Sequence, residues 1–389
     1  MEVLNRTGRK VFRGKVILPE GMLEEGMVVT EGEQIRYVGS PLFFEGVEEE
    51  VRVDGWIWPG LIDLHVHGAG GSDVMDGTPE ALHRISNTLV AHGVTGFLAT
   101  TVTMDKPRLE QAILNAVEHA SEVKGAEILG VHMEGPWICP AKRGAQNPEY
   151  ITDPLPTDAR WVLDVAGDSL RLITLAPERP GALDLIRRLS QQGVVISIGH
   201  SSATHEEMEA AVEAGASHVT HIFNGMTGLH HREPGVAGTA MVDERLTVEL
   251  IGDGFHVHPT VIKLLARVKQ TDGLILISDG MRAVGQPEGI YDLGGLKVRA
   301  EGGKATLEDG SLAGSLLTLD RAVHNMARYG GVPLWKAVRM ASLAPARRLG
   351  LDLDRGSLET GKRADLLITD EYGRVIRVWI RGREVPIHS

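Results

Sequence analysis

Between Leu61 and Asp279 the chain predicts an α/β fold, a (β/α)8 TIM-like barrel carrying a small β-sandwich domain. Three observations carry that expectation. Short apolar runs alternate with amphipathic stretches through this region. Gly93, Gly193 and Gly215 stand where amphipathic stretches should stop. No G-x-G-x-x-G fingerprint follows the first strand, which weakens the alternative of a doubly wound open sheet.

The barrel strands are expected at Leu61–His67, Val94–Thr101, Glu127–Glu134, Arg171–Ala176, Val194–His200, Ser217–Ile222, Thr247–Asp253 and Leu274–Asp279. Helices are expected at Pro79–His92, Lys106–Lys124, Ala182–Gln192, Thr204–Ala214 and Pro259–Gln270. Thr227–Asp243 reads as a long Gly/Pro-containing connection, and Ala283–Gly314 as a loop holding a hairpin. Helical stretches follow at Leu316–Tyr329 and Leu334–Leu349. Before Pro59 the chain reads as strands and turns, with Lys15–Leu18, Met27–Thr30 and Ile35–Val38 broken by Glu-Gly and Gly-Glu. The tail returns to strands at Ala364–Ile368 and Val375–Ile380. Residues 1–58 and 350–389 would form one discontinuous β domain around a catalytic barrel at 59–349.

The 389-residue length allows a large core. A net charge of −12 argues against nucleic acid or an anionic membrane as the main partner. Cys139 is the single cysteine, so no internal disulfide forms and a reducing, cytoplasmic setting is expected. No signal peptide or membrane span is expected, because no long apolar segment occurs near the N-terminus.

Chemistry gathers at the strand ends. His65 and His67 stand two apart, so both imidazoles face the same way on a strand. Glu134, His200, His221 and Asp279 close the third, fifth, sixth and eighth strands, and His256 lies just past the seventh. A barrel brings these ends to one face. Four histidines and two carboxylates there suit Zn²⁺, Mn²⁺ or Fe²⁺. His230 and His258 are loop residues without a strand-end argument.

PGLIDLHVHG, HMEGPW, GHSSAT, THIFNGM, REPG, GDGFHVHP, ISDGM and GKRADLLI together resemble the amidohydrolase superfamily and, within it, the N-acetylglucosamine-6-phosphate deacetylase family. The resemblance implies metal-dependent hydrolysis of the N-acetyl group of N-acetyl-D-glucosamine 6-phosphate to D-glucosamine 6-phosphate and acetate, in amino-sugar catabolism. It implies that Glu134, His200 and His221 hold one divalent metal, Zn, Fe or Mn. His65 and His67 would help hold a second, sharing Asp279 and possibly Glu134. The fourth strand, RLITLAP, offers no lysine for a carbamylated bridge, so Glu134 would take that place.

Asp279 is the expected base, taking a proton from water and returning it to the leaving amine. Gln146, in KRGAQNP, replaces a histidine of one family branch and would polarise the carbonyl more weakly, or leave that task to a second metal. Arg232 would bind phosphate. Ala145, Asn224, Gly225, His256, Leu312, Ala313 and Gly314 would complete the sugar pocket. A homodimer is implied, with no nucleic-acid or membrane partner. The C4 epimer, N-acetylgalactosamine 6-phosphate, or another acylated amine is the competing substrate. A catalytically dead binding or assembly protein would show missing ligands, and none is missing.

Overall fold

The computed structural model describes residues 8–269 and 271–387. Its centre is an eight-stranded parallel sheet in sequence order: Leu61–Val66, Val94–Thr101, Glu127–Glu134, Leu170–Leu175, Val195–Ile198, Ala216–Val219, Thr247–Ile251 and Leu274–Ile277. Val66 bridges to Gly280, and the Asp279 N–H donates to the His65 carbonyl at 2.9 Å, which closes the sheet into a barrel. Strands one and eight therefore meet where His65 and Asp279 sit. The strands are buried on both faces, as parallel strands covered by helices must be.

Helices run at Pro79–Val90, Lys106–Glu118, Ala182–Ser190, His205–Ala214 and Pro259–Val268. The expected last residue of the fifth, Gln270, lies outside the described residues, as do residues 1–7 of the expected β domain. Four starts are set by side chains, that of Pro259–Val268 by His258 Nδ1, which accepts from Thr260 N–H at 3.2 Å. Thr78, Asp105 and Thr204 accept from backbone N–H groups in the first turn, and Thr204 forms a capping box with Glu207.

Several stretches differ from the expected reading, among them Leu334–Leu349, which is two helices, Leu334–Met340 and Leu343–Arg348. Helix Asp158–Ala166 and strand Val47–Pro59 occur where no element was assigned. The strand opens with three consecutive glutamates, Glu48 to Glu50, which mask its apolar alternation. The connection at 227–243 contains a helix, Gly235–Val242. Its residues GVAGTAMV are nearly all buried, so no polar face marks a helical period. The hairpin at 283–314 is part of a three-stranded sheet, Gly289–Leu293, Leu296–Glu301 and Lys304–Thr306.

The two chain ends share a seven-stranded sheet. Its order is Arg383–Val385, Val375–Ile380, Leu366–Thr369, Val47–Pro59, Arg9–Leu18, Gly21–Glu31 and Gln34–Gly39. Alternate residues of this sheet serve two cores. Leu366 and Ile368 pack with Phe12, Val28 and Trp379, while Leu367 and Val378 pack into the barrel's cluster.

Glu127, at the start of the third barrel strand, clamps the tail. Its carboxylate accepts from Arg381 Nε at 2.8 Å, Arg363 Nη2 at 2.9 Å and Arg355 Nη1 at 3.1 Å. Burial alone would lift this carboxyl, but the arginines outweigh it and hold it below its ordinary value of 4.5. A depressed folded-state pKa means stability that is present above the unfolded value and lost as pH falls through the folded one. Glu127→Gln is expected to cost about 2 kcal/mol in urea unfolding at pH 7. The gap to wild type should narrow as pH falls below about 4. An unchanged midpoint at pH 7 would remove the clamp.

Candidate metal centre and pocket

The polar residues of the barrel interior locate the site. Ser197, Thr220 and Thr174 are joined through their hydroxyls, and Thr174 also bonds His132 Nε2 at 2.8 Å. His132 Nδ1 faces the Leu64 carbonyl, so it carries the ring proton. Burial, with His65 nearby, holds this imidazole well below its ordinary pKa. His132 is two residues before Glu134, so strand alternation turns Glu134 to the same inner side.

Alternation would turn His200 and His221 the other way, because Ser197 and Thr220 have the inward parity. The strands instead end at Ile198 and Val219, short of the expected His200 and Ile222. The chain then takes left-handed backbone at His200 (φ 47°) and His221 (φ 25°), and both side chains swing inward. Asp279 exits its strand with φ 49°. Positive φ at a non-glycine residue costs about 1–3 kcal/mol, so the surroundings must hold it. The His200 carbonyl accepts from Cys139 N–H at 2.8 Å. Gly199, just before it, cannot carry a side chain, since a Cβ would lie 2.7 Å from Thr174 and Thr220.

Two triads result, Glu134–His200–His221 and His65–His67–Asp279, all six side chains buried. In the first, Glu134 Oε1 lies 3.1 Å from His200 Nε2 and 3.2 Å from His221 Nε2, and the two ring nitrogens are 3.2 Å apart. In the second, His65 and His67 Nε2 are 3.2 Å apart and Asp279 Oδ1 lies 3.4 and 3.3 Å from them. Glu134 also reaches His65 at 3.5 Å and His67 at 3.4 Å, so it stands between the triads.

The donor set fits divalent ions. Separations of 3.1–3.4 Å match the edges of a tetrahedron with bonds of ~2.0–2.1 Å. Three of the four outer ring nitrogens are anchored so that Nε2 faces inward, while His221 Nδ1 is buried without a partner among the described residues. His200 Nδ1–H donates to the Lys142 carbonyl at 2.8 Å, His67 Nδ1–H to Thr100 O at 3.3 Å, and His65 Nδ1–H to Glu249 Oε2 at 3.1 Å. Burial pushes the His67 imidazole down, but hydrogen bonds to Asp279 and Glu134 outweigh it and lift it to about 9. Burial would raise Glu134, yet His65 and His200 hold it well below the carboxylate range. Such mutual pairing is how imidazoles and carboxylates share a cavity that a cation also suits.

Above the triads lies a pocket of about 270 Å³ lined by His67, Ala145, Gln146, Asn224, Gly225, His256, Leu312 and Gly314 among others. A larger cleft of about 1030 Å³, between the terminal sheet and the barrel, contains none of the candidate ligands. Asp253 Oδ2 holds His256 Nδ1 at 2.6 Å, which orients the ring. Asn224 spends its amide donors on the His221 and Ile222 carbonyls, leaving its oxygen for a ligand. Gly225 (φ 57°) passes so close to the His200 ring that a Cβ would lie 2.8 Å from its Nδ1.

Two expected pocket residues stand elsewhere. Ala313 is fully buried between Leu312 and Gly314 and turns away from the pocket, its N–H donating to the Ala305 carbonyl. Arg232 is exposed on a His230–Glu233 turn, its guanidinium on His231 Nε2 at 2.8 Å, outside the pocket wall. Gln146 lines the pocket but its amide is engaged. The oxygen accepts from Thr103 N–H at 2.7 Å and the nitrogen donates to Glu134 Oε2. Glu249, His132 and His218 were not singled out from the sequence. A lone glutamate in the strand Thr247–Ile251 was the available signal, since a buried charge requires partners.

A model of the amidohydrolase family matches residues 56–385. The N-acetylgalactosamine-6-phosphate deacetylase of Escherichia coli O157:H7 is 42% identical over 326 residues, 84% of this chain and 86% of that one. The N-acetylglucosamine-6-phosphate deacetylase of Bacillus subtilis (strain 168) is 38% identical over 383 residues, covering 93% and 96%. The structure of a mutant N-acetyl-D-glucosamine-6-phosphate deacetylase from Mycobacterium smegmatis, in complex with N-acetyl-D-glucosamine-6-phosphate, superposes with a TM-score of 0.92. It is 32% identical and covers 97% of this chain and 99% of its own.

Removing the Gln146 amide frees both Glu134 and the Thr103 N–H. Gln146→Ala is therefore expected to weaken zinc binding by ~10-fold in competition with a chromophoric chelator. Unchanged affinity would leave its bond to Glu134 without consequence.

Proposed function

This chain belongs to the amidohydrolase family, among its amino-sugar-phosphate deacetylases, and on that footing we propose that it hydrolyses the N-acetyl group of N-acetyl-D-glucosamine 6-phosphate, giving D-glucosamine 6-phosphate and acetate. The observation that carries the reading is the pair of complete triads opening into a sugar-sized pocket. Glu134, His200 and His221 would hold one divalent ion, and His65, His67 and Asp279 a second, with Glu134 between. Bound there, such ions lower the pKa of water from ~15.7 towards ~7 and polarise a carbonyl.

The chain's own residues do the rest. Asp279 takes the proton of the attacking water on its carboxylate and delivers it to the departing amine nitrogen. Histidine pairing holds Asp279 below its ordinary pKa against the opposing effect of burial, so it starts ionised as a base must. His256, fixed by Asp253, and the free oxygen of Asn224 orient the sugar hydroxyls. Gln146 steadies Glu134. Among the described residues the pocket wall contains no lysine or arginine, so the phosphate is expected at its open edge, with Arg232 the nearest candidate by resemblance. Among the described residues no helix is long and apolar enough to cross a membrane. We place the enzyme in the cytoplasm as a homodimer.

The E. coli relative favours a second substrate, the galacto epimer, since it is 42% identical and named for it. Acetate release from both 6-phosphates, beside unphosphorylated N-acetylglucosamine, tests the reading. Turnover should require phosphate and be lost on chelation. Asp279→Asn should retain zinc at the Glu134 triad and lose ~10²–10⁴-fold in kcat. Equal turnover of phosphorylated and free sugar would remove the phosphate argument, and a fully active Asp279→Asn would remove the base.

A further inference from the structure

Next to the two triads, within the barrel, lies a carboxylate that the mechanism does not use. Glu249 belongs to the seventh strand and is fully buried. An ionised group there loses its hydration, which is costly unless several donors replace it. Three do. His65 Nδ1–H donates to Oε2 at 3.1 Å, the backbone N–H of His221 donates to the same oxygen at 3.2 Å, and His218 Nε2–H donates to Oε1 at 3.1 Å. His218, itself wholly buried, is braced on its other nitrogen by Thr247 Oγ1 at 2.5 Å.

The two bonds through Oε2 reach different triads. His65 belongs to the His65–His67–Asp279 set, and the bond fixes its ring so that Nε2 faces inward. His221 belongs to the Glu134 set, and its backbone is left-handed at φ 25°. A strained non-glycine residue persists only where its surroundings over-determine it. The Glu249 carboxylate captures the N–H at that strained residue, while the Glu249 carbonyl accepts from the next N–H, that of Ile222, at 2.9 Å. An apolar side chain at 249 would fill the volume and leave all three donors without an acceptor.

We propose that Glu249 is a positioning residue that sets one ligand of each triad, His65 through its ring and His221 through its backbone, so that affinity for both ions depends on a single buried carboxylate. This rests on the metal reading above. It goes beyond it by making the two sites mechanically linked through Glu249, in addition to their shared Glu134.

The test uses full-length protein stripped with chelator and reloaded with zinc, read as stepwise affinity by chelator competition and as zinc content by mass spectrometry. Glu249→Ala should weaken both binding steps by ~10–100-fold. Glu249→Gln should stay close to wild type. Its oxygen can still accept from His65 and His221, while its amide donates to His218, whose ring proton moves to Nδ1. A folded Glu249→Ala protein with wild-type zinc affinity would overturn the proposal, even if its apoprotein melts earlier, since a purely structural role would do only that. A Gln variant as weak as the Ala variant would also overturn it, because charge and not hydrogen-bonded placement would then be at work. If Glu249→Ala does not fold, Glu249→Asp withdraws the carboxylate by one methylene while keeping its charge, and the same loss is expected. A wild type that takes up no zinc, manganese or iron would remove the metal reading itself, and this role with it.

Discussion

Everything at the C-terminal end of the barrel is arranged around one buried carboxylate, Glu134, which lies within 3.5 Å of four imidazole nitrogens. Three carboxylates, Glu134, Asp279 and Glu249, share this dry space. Among the described residues their side-chain partners are imidazoles and the Gln146 amide. Negative charge at that density needs positive charge close by. Without an ion, the imidazoles must take up protons, which is the direction in which His65, His67 and His200 are shifted. A divalent cation supplies the same compensation without relying on protons. The donor set thus suits a cation as well as it suits protonated imidazoles.

The backbone is bent to meet that demand. Strand alternation delivers His65, His67 and Glu134 to the inner face at no conformational cost. His200 and His221 arrive with the wrong parity and are brought in through left-handed residues. A barrel whose ligands all followed alternation would draw them from the inward rows alone. Taking two from the outward rows brings the ring nitrogens of neighbouring strands to 3.2 Å from each other. The bracing of these two residues, by Cys139 N–H and the Lys142 carbonyl for one and by Glu249 for the other, is the structural counterpart of the strain.

The difference between parity and geometry also explains what was legible in the sequence. Strand centres were visible because buried parallel strands are apolar throughout, and the second and third strands match the expected bounds at both ends. Strand ends were less so, because the turn inward at His200 and His221 is a tertiary requirement that local pattern does not encode. Helix Gly235–Val242 was hidden by being buried along nearly all its length, and strand Val47–Pro59 by its run of three glutamates. The six residues of the two triads stood out in the sequence because each is a polar residue at or just past the end of an apolar strand. Glu249 and His218 escaped because they sit within strands, where a polar residue looks like an irregularity until its partners are known.

Gln146 carries the same lesson about context into the chemistry. Placed in the pocket wall, where a family branch has histidine, an amide invites the role of a weaker electrophile. Its hydrogen bonds say otherwise. The oxygen is taken by Thr103 N–H, which fixes the amide plane, and the nitrogen is turned onto Glu134. An amide whose plane is fixed from one side and aimed at the Glu134 carboxylate on the other is a brace. On the proposed reading, electrophilic assistance then falls mainly to the ions. That is consistent with both triads being complete in this chain. The complete His65–His67–Asp279 triad and the braced amide of Gln146 therefore fit one another on that reading.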